Sequence, residues 1–286
     1  MPQTKGRRIK TDKRDAKMIA ACLAYGTYSA VYVPDETDTQ AKEYIRMRDD
    51  HKDSLKRIKQ QIEALCLRHG LSYSGNTAWT AAYVSWLRKL ELDSILRETL
   101  DDYLATYDSL TDRIERMDKR IEELAMQEKY AENVKKLVCL LGIKTHTALS
   151  LIVETGDFRR FRKGNAYAAF LGLVPGEDSS GESVQRTGIT KAGNRHLRSL
   201  LVESAQGYCK GRPGCKSKNL KARQSGDPAG IITYADKAND RLRRKYRKMT
   251  AEGKKANVAK TAVAREPACF VWGMMTGNTT KENTKA

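Results

Sequence analysis

The sequence contains no apolar run that approaches the roughly 20 residues of a membrane-spanning helix, so no transmembrane protein is predicted. No apolar stretch follows the basic N-terminus, which argues against a secretory signal. The six cysteines form no Cys-x-x-Cys pair and the four histidines are isolated from them. This pattern is typical of reduced cytosolic thiols rather than of a structural zinc site. Acids are outnumbered by bases, with 35 Asp and Glu against 53 Lys and Arg and a net charge of +18. The excess of base predicts a polyanionic partner, nucleic acid before an acidic membrane.

The chain has 286 residues, enough for about two domains or for one domain with elongated helices. Hydrophobic residues make up 40% of it, which suffices for a core, and charged residues make up 31%, above the ordinary share of about a quarter. This balance predicts a mainly α-helical protein with wide solvated faces rather than a disordered chain. Shifts in composition divide the sequence into four stretches, which are residues 1–36, 37–130, 131–208 and 209–286.

Residues 37–130 carry the strongest structural signal. Apolar residues recur at alternating spacings of three and four, at Leu55, Ile58, Ile62 and Leu65 and again at Leu96, Leu100, Tyr103, Tyr107, Leu110, Ile114, Met117, Ile121 and Leu124. The second series spans about four heptads, which is typical of a coiled coil. Two such helices, joined by a loop that contains Trp79 and Trp86, predict a long antiparallel hairpin. A hairpin within one chain and an arm that dimerises are equally compatible with the pattern.

The first stretch predicts one helix followed by one strand. The expected N-cap, first-turn acids and C-cap of this helix are Thr11, Asp12, Asp15 and Gly26. Residues 28–33 alternate and are rich in β-branched side chains, which is a strand pattern. Because one helix and one strand cannot form a core alone, the stretch is interpreted as the tail of a larger domain.

The third stretch is less charged and richer in small and aromatic residues. Its segment LVCLLGIKTHTA at 137–148 predicts a helix, a turn at Gly142 and a second helix. The segment resembles half of a helix-hairpin-helix motif, whose hairpin amides bind a phosphate, but the match is partial because Lys144 stands where the motif has its second glycine. An ordinary helical turn is equally compatible. A loop rich in Gly and Ser then leads to a helix that starts at Arg195.

The last stretch is basic and poor in apolar residues until Ala262. Residues 240–248 predict a charged helix, and the final dozen residues are predicted to be disordered.

Asp12 and Asp15 are candidate metal ligands. Carboxylates three residues apart on a helix face the same way, and their oxygens suit a hard divalent cation. Most such pairs at a helix start merely complement the helix dipole, and the residues by themselves favour that interpretation. The neighbouring Lys10, Lys13 and Arg14 would suit a phosphate backbone that approaches a metal.

The Gly- and Ser-rich loop contains Ser179, Ser180 and Ser183 and is followed by Arg186 and Lys191. A serine there could be a nucleophile, but a hydroxyl needs an activating base or metal. His196 lies too far along the chain to be assigned as that base from sequence. On the residues alone, a flexible solvent-exposed loop is the better interpretation.

The segment GITKAGNRHLR at 188–198 predicts a nucleic-acid contact. Lys191, Arg195 and Arg198 are spaced to share a helix face, and Gly193 with Asn194 predicts a helix start whose amides could meet a phosphate. A solvated charged face is the alternative.

Taken in order, several segments resemble one known family. They are KTDKRDA at 10–16, RHGL at 68–71, LLGIKTHTALSLIVETGDFRRF at 140–161, AAFLGLVPGEDSSGE at 168–182 and TGITKAGNRHLRSLLVE at 187–203. The sequence resembles the DEDD-type transposases of insertion-sequence family one-ten, whose studied members are guided by a bridge RNA. The resemblance covers about residues 5–275.

This resemblance implies an RNase H-like domain, a coiled-coil arm and a small helical transposase domain. It implies that four acids bind Mg²⁺, with Asp12 and Asp15 as the third and fourth, and that Ser180 becomes covalently linked to DNA, with Ser179 as the alternative. The implied partners are DNA at the element ends and target, a guide RNA and further copies of the chain through the arm. A cytoplasmic, nucleoid-associated bacterial protein is expected.

The sequence departs from the family pattern in two places. Family members have about ninety more residues ahead of the Lys-Thr-Asp block, and these would hold the first two acids. Pro267 falls inside a predicted helix at 262–275, where a proline costs about 3 kcal/mol. We therefore expect either an active DNA transposase or a truncated, catalytically inactive copy that only binds nucleic acid and self-associates. Residues 1–36 would then be the remnant of the RNase H-like domain.

Overall fold

The computed structural model describes residues 11–28, 32–177 and 186–279, with Arg186 described by its backbone alone. The described residues are mainly helical, as predicted, and their eleven α-helices are α1 (Asp12–Ala24), α2 (Glu36–Arg68), α3 (Ala81–Arg88), α4 (Ser94–Ala125), α5 (Glu128–Leu137), α6 (Thr145–Thr155), α7 (Gly164–Phe170), α8 (Arg195–Cys209), α9 (Lys218–Gln224), α10 (Ala229–Ala251) and α11 (Ala256–Met275). Their sheet has two antiparallel strands, β1 (Pro175–Glu177) and β2 (Arg186–Ile189). Within the same ranges, no helix is long and apolar enough to cross a bilayer.

The chain divides into two compact units, residues 1–34 and 35–286. The described part of the first unit contains α1, which begins directly after Thr11, with Asp12 and Asp15 in its first turn, as predicted. Gly26 follows the helix with a φ of 62°, the left-handed conformation expected of a glycine at a helix end. No residue of α1 is buried. Of the predicted strand, the described residues 28, 32 and 33 lie in no strand, and residues 29–31 lie outside the described ranges.

In the second unit, α2 and α4 pack along each other. Helix α4 is continuous, and each of its nine apolar residues in the predicted heptads is at least half-buried. Residues further along α2 contact residues earlier in α4. Arg48 bonds to Asp118, whereas Lys59, one-third of the helix further on, lies over the ring of Tyr107. The apolar stripe therefore faces the neighbouring helix.

The far ends of α2 and α4 have a core of their own. It comprises Ile62, Leu65, Cys66, Tyr83, Leu87, Leu100 and Leu104. Trp86, predicted to lie in a loop, is instead in the short helix α3, which Thr80 caps through its hydroxyl. Trp79 packs on Tyr83 and Tyr107, with ring centroids 5.2 Å apart in each pair. Aromatic packing therefore joins the segment between the two long helices to α4, and a hydrogen bond from Trp79 Nε1 to Glu63 at 2.6 Å joins it to α2.

The larger core contains residues from all three sequence stretches of the second unit. It extends from Ala41 and Ile45 of α2, through Ile121 of α4, to α5, α6, α7, α8, α10 and α11. Helix α11 continues through Pro267. Trp272 Nε1 donates to the carbonyl oxygen of Phe161 at 3.0 Å and ties the end of α11 to the turn before α7. This core holds the beginning of α2 and the end of α4 against the later helices of the chain.

The turn between α5 and α6 is packed inside the protein. A Cβ on Gly142 would overlap the backbone carbonyl of Ser204 in α8, so only glycine allows this close approach. The Leu141 amide donates to Asn239 at 2.9 Å, and the turn carbonyls of Leu141 and Ile143 accept from Arg223. These groups hold the turn to α8, α9 and α10, as in an ordinary structural turn.

Candidate nucleic-acid interface

A broad groove lies between α2 and α8. Its volume is about 1780 Å³, above the roughly 300–1,000 Å³ of small-molecule pockets, so its size favours an extended ligand. The charged residues that line it include seven cations, Arg46, Lys52, Lys56, Lys59, Lys191, Arg195 and Arg198, and four acids, Asp49, Asp50, Asp53 and Glu203. The groove is therefore basic, as a polyanion would require.

The rim of the groove is formed by four exposed cations, Lys52, Lys56, Lys191 and Arg195. Lys52 and Lys56 lie one helical turn apart on α2, and Arg195 is the first residue of α8 on the opposite wall. Lys52 Nζ lies 3.3 Å from Glu203 Oε1 of α8, a pair in which both side chains are at least half exposed. An exposed pair of this kind contributes little to stability, which leaves Lys52 available to a ligand.

The floor of the groove is a network of paired groups, in which Arg46, Asp49, Asn194 and His196 line the groove and the buried Glu154 lies beneath them. Glu154 of α6 has a side chain that is 1% exposed. It accepts two bonds from Arg46, at 2.9 and 2.8 Å, and a third from Asn194 Nδ2 at 2.6 Å. Burial raises the pKa of Glu154, but the bonds from His196, Arg46 and Asn194 outweigh it and lower that pKa to about 2. Glu154 is thus a buried carboxylate with several donors.

His196 bridges two carboxylates across the floor. Its Nδ1 lies 2.6 Å from Glu154 Oε1, and its Nε2 lies 2.7 Å from Asp49 Oδ2. Burial lowers the pKa of His196, but the hydrogen bonds to Asp49 and Glu154 outweigh it and raise that pKa to about 9. The ring is therefore an imidazolium at neutral pH. In that form it has no lone pair with which to accept a proton, so it cannot act as a general base.

Asp49 connects the floor to α4. It accepts from Arg48 at 2.9 Å, and Arg48 also makes a two-pronged pair with Asp118 at 2.7 and 3.0 Å. His146 Nε2 of α6 lies 3.1 Å from the other Asp49 oxygen. Burial raises the pKa of Asp49, but the close approach of His146 and the hydrogen bonds with His196 and Arg48 outweigh it and hold the pKa far below its usual range. The network thus joins α2, α4, α6 and α8.

Asn194 sets the start of α8. Its Oδ1 accepts from the Leu197 amide at 3.1 Å, which is a helix N-cap bond, while its amide group donates to Glu154. The preceding Gly193 has a φ of 73°, and a Cβ there would overlap the carbonyl oxygen of Phe170. The predicted helix start at Gly193 and Asn194 is therefore confirmed.

The prediction that Lys191, Arg195 and Arg198 share one helix face is wrong for Lys191. Lys191 precedes α8, in a left-handed conformation with a φ of 55°. All three residues nevertheless line the groove. Arg198 Nη1 donates to the carbonyl oxygens of Leu171 and Ala192 at 2.9 and 3.0 Å. Arg198 therefore fastens the segment before α8, whereas Lys191 and Arg195 face solvent.

The remaining predicted site residues are elsewhere in the chain. Asp12, Lys13, Arg14 and Asp15 lie in the first turn of α1, in the first unit. Lys10 and the three loop serines, Ser179, Ser180 and Ser183, lie outside the described residues, as does the side chain of Arg186. Across residues 11–28, 32–177 and 186–279, no group of three or more His, Cys, Asp or Glu side chains is arranged to hold a metal ion.

Sequence reasoning did not find the floor. Its two carboxylates lie 42 and 147 residues before His196 in the chain, and local spacing cannot bring such residues together. One signal was present. Glu154 is the single acid in the helix THTALSLIVET and follows the apolar run LIV, and a lone buried charge requires partners.

Comparison with known proteins connects this groove to a family. Residues 135–214, which include α6, α7 and α8, match the family model described as Transposase IS116/IS110/IS902 family. The transposase for insertion sequence element IS1533 of Leptospira borgpetersenii is 32% identical over 268 residues, which are 89% of this chain and 74% of that protein. The chain belongs to the IS116/IS110/IS902 transposase family.

Two other members of the family show the same relation. A candidate transposase of Sinorhizobium fredii, y4qE, is 36% identical over 274 residues, which are 96% of this chain and 67% of that protein. The transposase for insertion sequence element IS1111A of Coxiella burnetii is 28% identical over 218 residues, which are 74% of this chain and 59% of that protein. The chain thus spans about 60 to 75% of the length of these three relatives.

Proposed function

We propose that this chain is the DNA transposase of an insertion sequence and that DNA lies in the groove between α2 and α8. The observation that supports this proposal is the arrangement of Lys52, Lys56, Lys191 and Arg195, which are exposed on both walls of one basic groove. Family membership supplies the reaction class, and the groove supplies a surface of matching charge.

The rim would bind the phosphate backbone. Each Lys or Arg that neutralises a phosphate releases condensed counterions, so affinity falls as salt rises, with a log–log slope of about −0.9 per contact. Such contacts position DNA without reading its sequence. Recognition of the element ends and the target would therefore need a further reader, which the family resemblance gives as a guide RNA.

The resemblance assigns strand cleavage to Ser180, with Ser179 as the alternative. In this step the serine Oγ would form a bond to a backbone phosphorus while the bond from that phosphorus to a sugar oxygen breaks. The serine proton is lost, and the released sugar oxygen gains a proton. One phosphate ester replaces another, so the link is retained for strand exchange.

The resemblance also assigns Mg²⁺ to this reaction, and the described residues offer two ligands of suitable chemistry. Asp12 and Asp15 lie three positions apart in the first turn of α1, so their carboxylates project from neighbouring positions of one face. Mg²⁺ prefers such oxygens and completes its shell with water and phosphate. When bound, the ion would neutralise phosphate charge next to the reacting group. The adjacent Lys10, Lys13 and Arg14 would attract the DNA backbone.

Self-association through the arm of α2 and α4 is a further part of the proposal. The heptad pattern suits a coiled coil between chains as well as within one chain. Sedimentation of the purified protein would test this part separately from DNA binding.

A second candidate function is nucleic-acid binding and self-association without catalysis. The charged state of His196 favours it. This ring is held between Glu154 and Asp49 beneath the rim, and as an imidazolium it cannot take a proton from a serine at neutral pH. Formation of a covalent DNA adduct that Ser180→Ala abolishes would support the enzyme. DNA binding with no adduct in the presence of Mg²⁺ and guide RNA would support the second candidate.

The groove itself is tested by two matched variants. In the first, Lys52, Lys56, Lys191 and Arg195 are replaced by Gln. In the second, the same charge is removed outside the groove by replacing Lys218, Lys221, Lys254 and Arg244, all exposed. We expect the groove variant to lower the salt slope of duplex DNA binding by up to about 3.6, measured by fluorescence anisotropy, and the control to change it little. Equal slopes in the two variants would refute the groove as the interface.

A further inference from the structure

We propose that His196 is a positioning residue that, as an imidazolium, fixes the spacing between the α2 and α8 walls of the groove. This inference rests on the proposed function, because the groove matters to the extent that DNA occupies it. His196 would not contact the DNA phosphates or the reacting atoms. It would act through the two walls that it joins.

The geometry requires the doubly protonated ring. Both ring nitrogens lie within 2.7 Å of a carboxylate oxygen, Nδ1 at Glu154 and Nε2 at Asp49. A carboxylate is an acceptor, so each nitrogen must carry a hydrogen, and a neutral imidazole has only one. Loss of either proton would place a nitrogen lone pair against a carboxylate. The bridge across the floor therefore depends on the second proton.

The bridge lies directly beneath the rim on both walls. On α2, Lys52 and Lys56 follow Asp49 by three and seven positions, one and two turns along the same side. On α8, His196 is the second residue, next to Arg195. A change in the Asp49–His196 contact would therefore move the rim cations of one wall relative to those of the other.

Other charged groups converge on the same site and set its response to pH. From α2 these are Arg46, Arg48 and Asp49; from α4, Asp118 through Arg48; from α6, His146 and Glu154; and from α8, Arg195 beside His196 itself. The carboxylates remain charged at neutral pH and above, and the arginines do so throughout. Above neutral pH, His196 is then the group whose change of charge breaks the bridge.

The test compares the pH dependence of DNA binding in the full chain and in three variants. The wild-type protein should lose roughly tenfold in affinity for a short duplex between about pH 7.5 and 9.5, as about one phosphate contact is lost. His196→Gln should show that loss already at neutral pH and little change above it. His69→Gln removes an exposed histidine outside the groove and should follow the wild type. The lysines are the same in all four proteins, so their titration affects each protein alike.

Asp49→Asn separates positioning from a general effect on folding. The introduced amide can donate to the Nε2 atom of a neutral imidazole, which still donates from Nδ1 to Glu154. The bridge then needs one proton rather than two. This variant should keep its affinity at about pH 9.5, where the wild type has lost it. If His196 merely supported the fold, Asp49→Asn would not bind DNA more tightly than the wild type at about pH 9.5.

A wild-type protein that stays folded by circular dichroism and binds DNA equally at both pH values would overturn the proposal, even if His196→Gln failed to fold. Wild-type affinity in folded His196→Gln would also overturn it. The groove variant with Lys52, Lys56, Lys191 and Arg195 replaced by Gln separates the two proposals. If it loses DNA binding but the expected pH dependence is absent, the groove remains the interface and the positioning role of His196 alone is refuted. If it binds DNA as the wild type does, the proposed function itself is refuted.

Discussion

The floor and the rim of the groove use charge in opposite ways. On the floor, Glu154 and Asp49 are buried or half-buried and every carboxylate is matched by cationic or amide donors. On the rim, Lys56, Lys191 and Arg195 are exposed. Buried charges are costly unless paired, so paired groups there hold elements in place. Exposed charges contribute little to stability but attract a polyanion. Removing charge should therefore change folding at the floor and binding at the rim.

The largest effect on stability is expected from Glu154→Gln. The substitution leaves the His196 imidazolium and Arg46 without their buried anion, and breaking a buried pair costs about 3–5 kcal/mol. Urea unfolding at neutral pH measures this as a fall in the free energy of unfolding. Glu203→Gln, which removes the exposed partner of the rim residue Lys52, is the control and should change it by less than about 1 kcal/mol. Equal costs at the two positions would remove the distinction between floor and rim.

The next effect is the dependence of stability on pH. The pKa of His196 is raised to about 9 in the folded protein, above its ordinary value near 6.5. Its contribution to stability is therefore complete below about pH 6.5 and lost as pH rises through 9, in total roughly 3 kcal/mol. The pKa of Glu154 is lowered to about 2, so its contribution is complete above about pH 4.5 and lost as pH falls through 2. When the free energy of unfolding is measured in urea across this pH range, its decline at alkaline pH should be absent in His196→Gln.

A smaller effect should distinguish Arg198 from its neighbours. Because its guanidinium binds two backbone carbonyls, Arg198→Ala should lower the free energy of unfolding by about 1–3 kcal/mol. The salt slope of DNA binding should stay as in the wild type, whereas Arg195→Ala should lower the slope by about 1 at unchanged stability. A lower slope in Arg198→Ala would place that residue with the rim.

The smallest effect concerns the exposed pair that spans the groove. Lys52→Gln should change the free energy of unfolding by less than about 1 kcal/mol, because Lys52 and Glu203 are both solvated. Glu203→Gln should strengthen DNA binding slightly, since it removes a negative charge from the groove. Weaker DNA binding in Glu203→Gln would show that the pair holds the walls together.

Local patterns in the sequence predicted the helices, but they did not predict which side chains pair in the tertiary structure. The apolar stripe of α4 was predictable because residues such as Leu100 and Ile114 repeat at short, regular spacing. The helix α3 was not, since the packing of Trp86 in the core at the far ends of α2 and α4 decides it. The floor depends on side chains far apart in the chain. The roles of Ser180, Asp12 and Asp15 remain predictions from the family resemblance.

The central claim, that DNA lies in the groove between α2 and α8, is tested most directly by footprinting lysine side chains. The protein is acetylated with limiting reagent in the presence and absence of a short DNA duplex, and modification at each lysine is measured by mass spectrometry. We predict that DNA lowers acetylation of Lys52, Lys56 and Lys191 while leaving the exposed Lys218 and Lys221 unchanged. Protection of Lys218 and Lys221 with unchanged modification of the groove lysines would contradict the account.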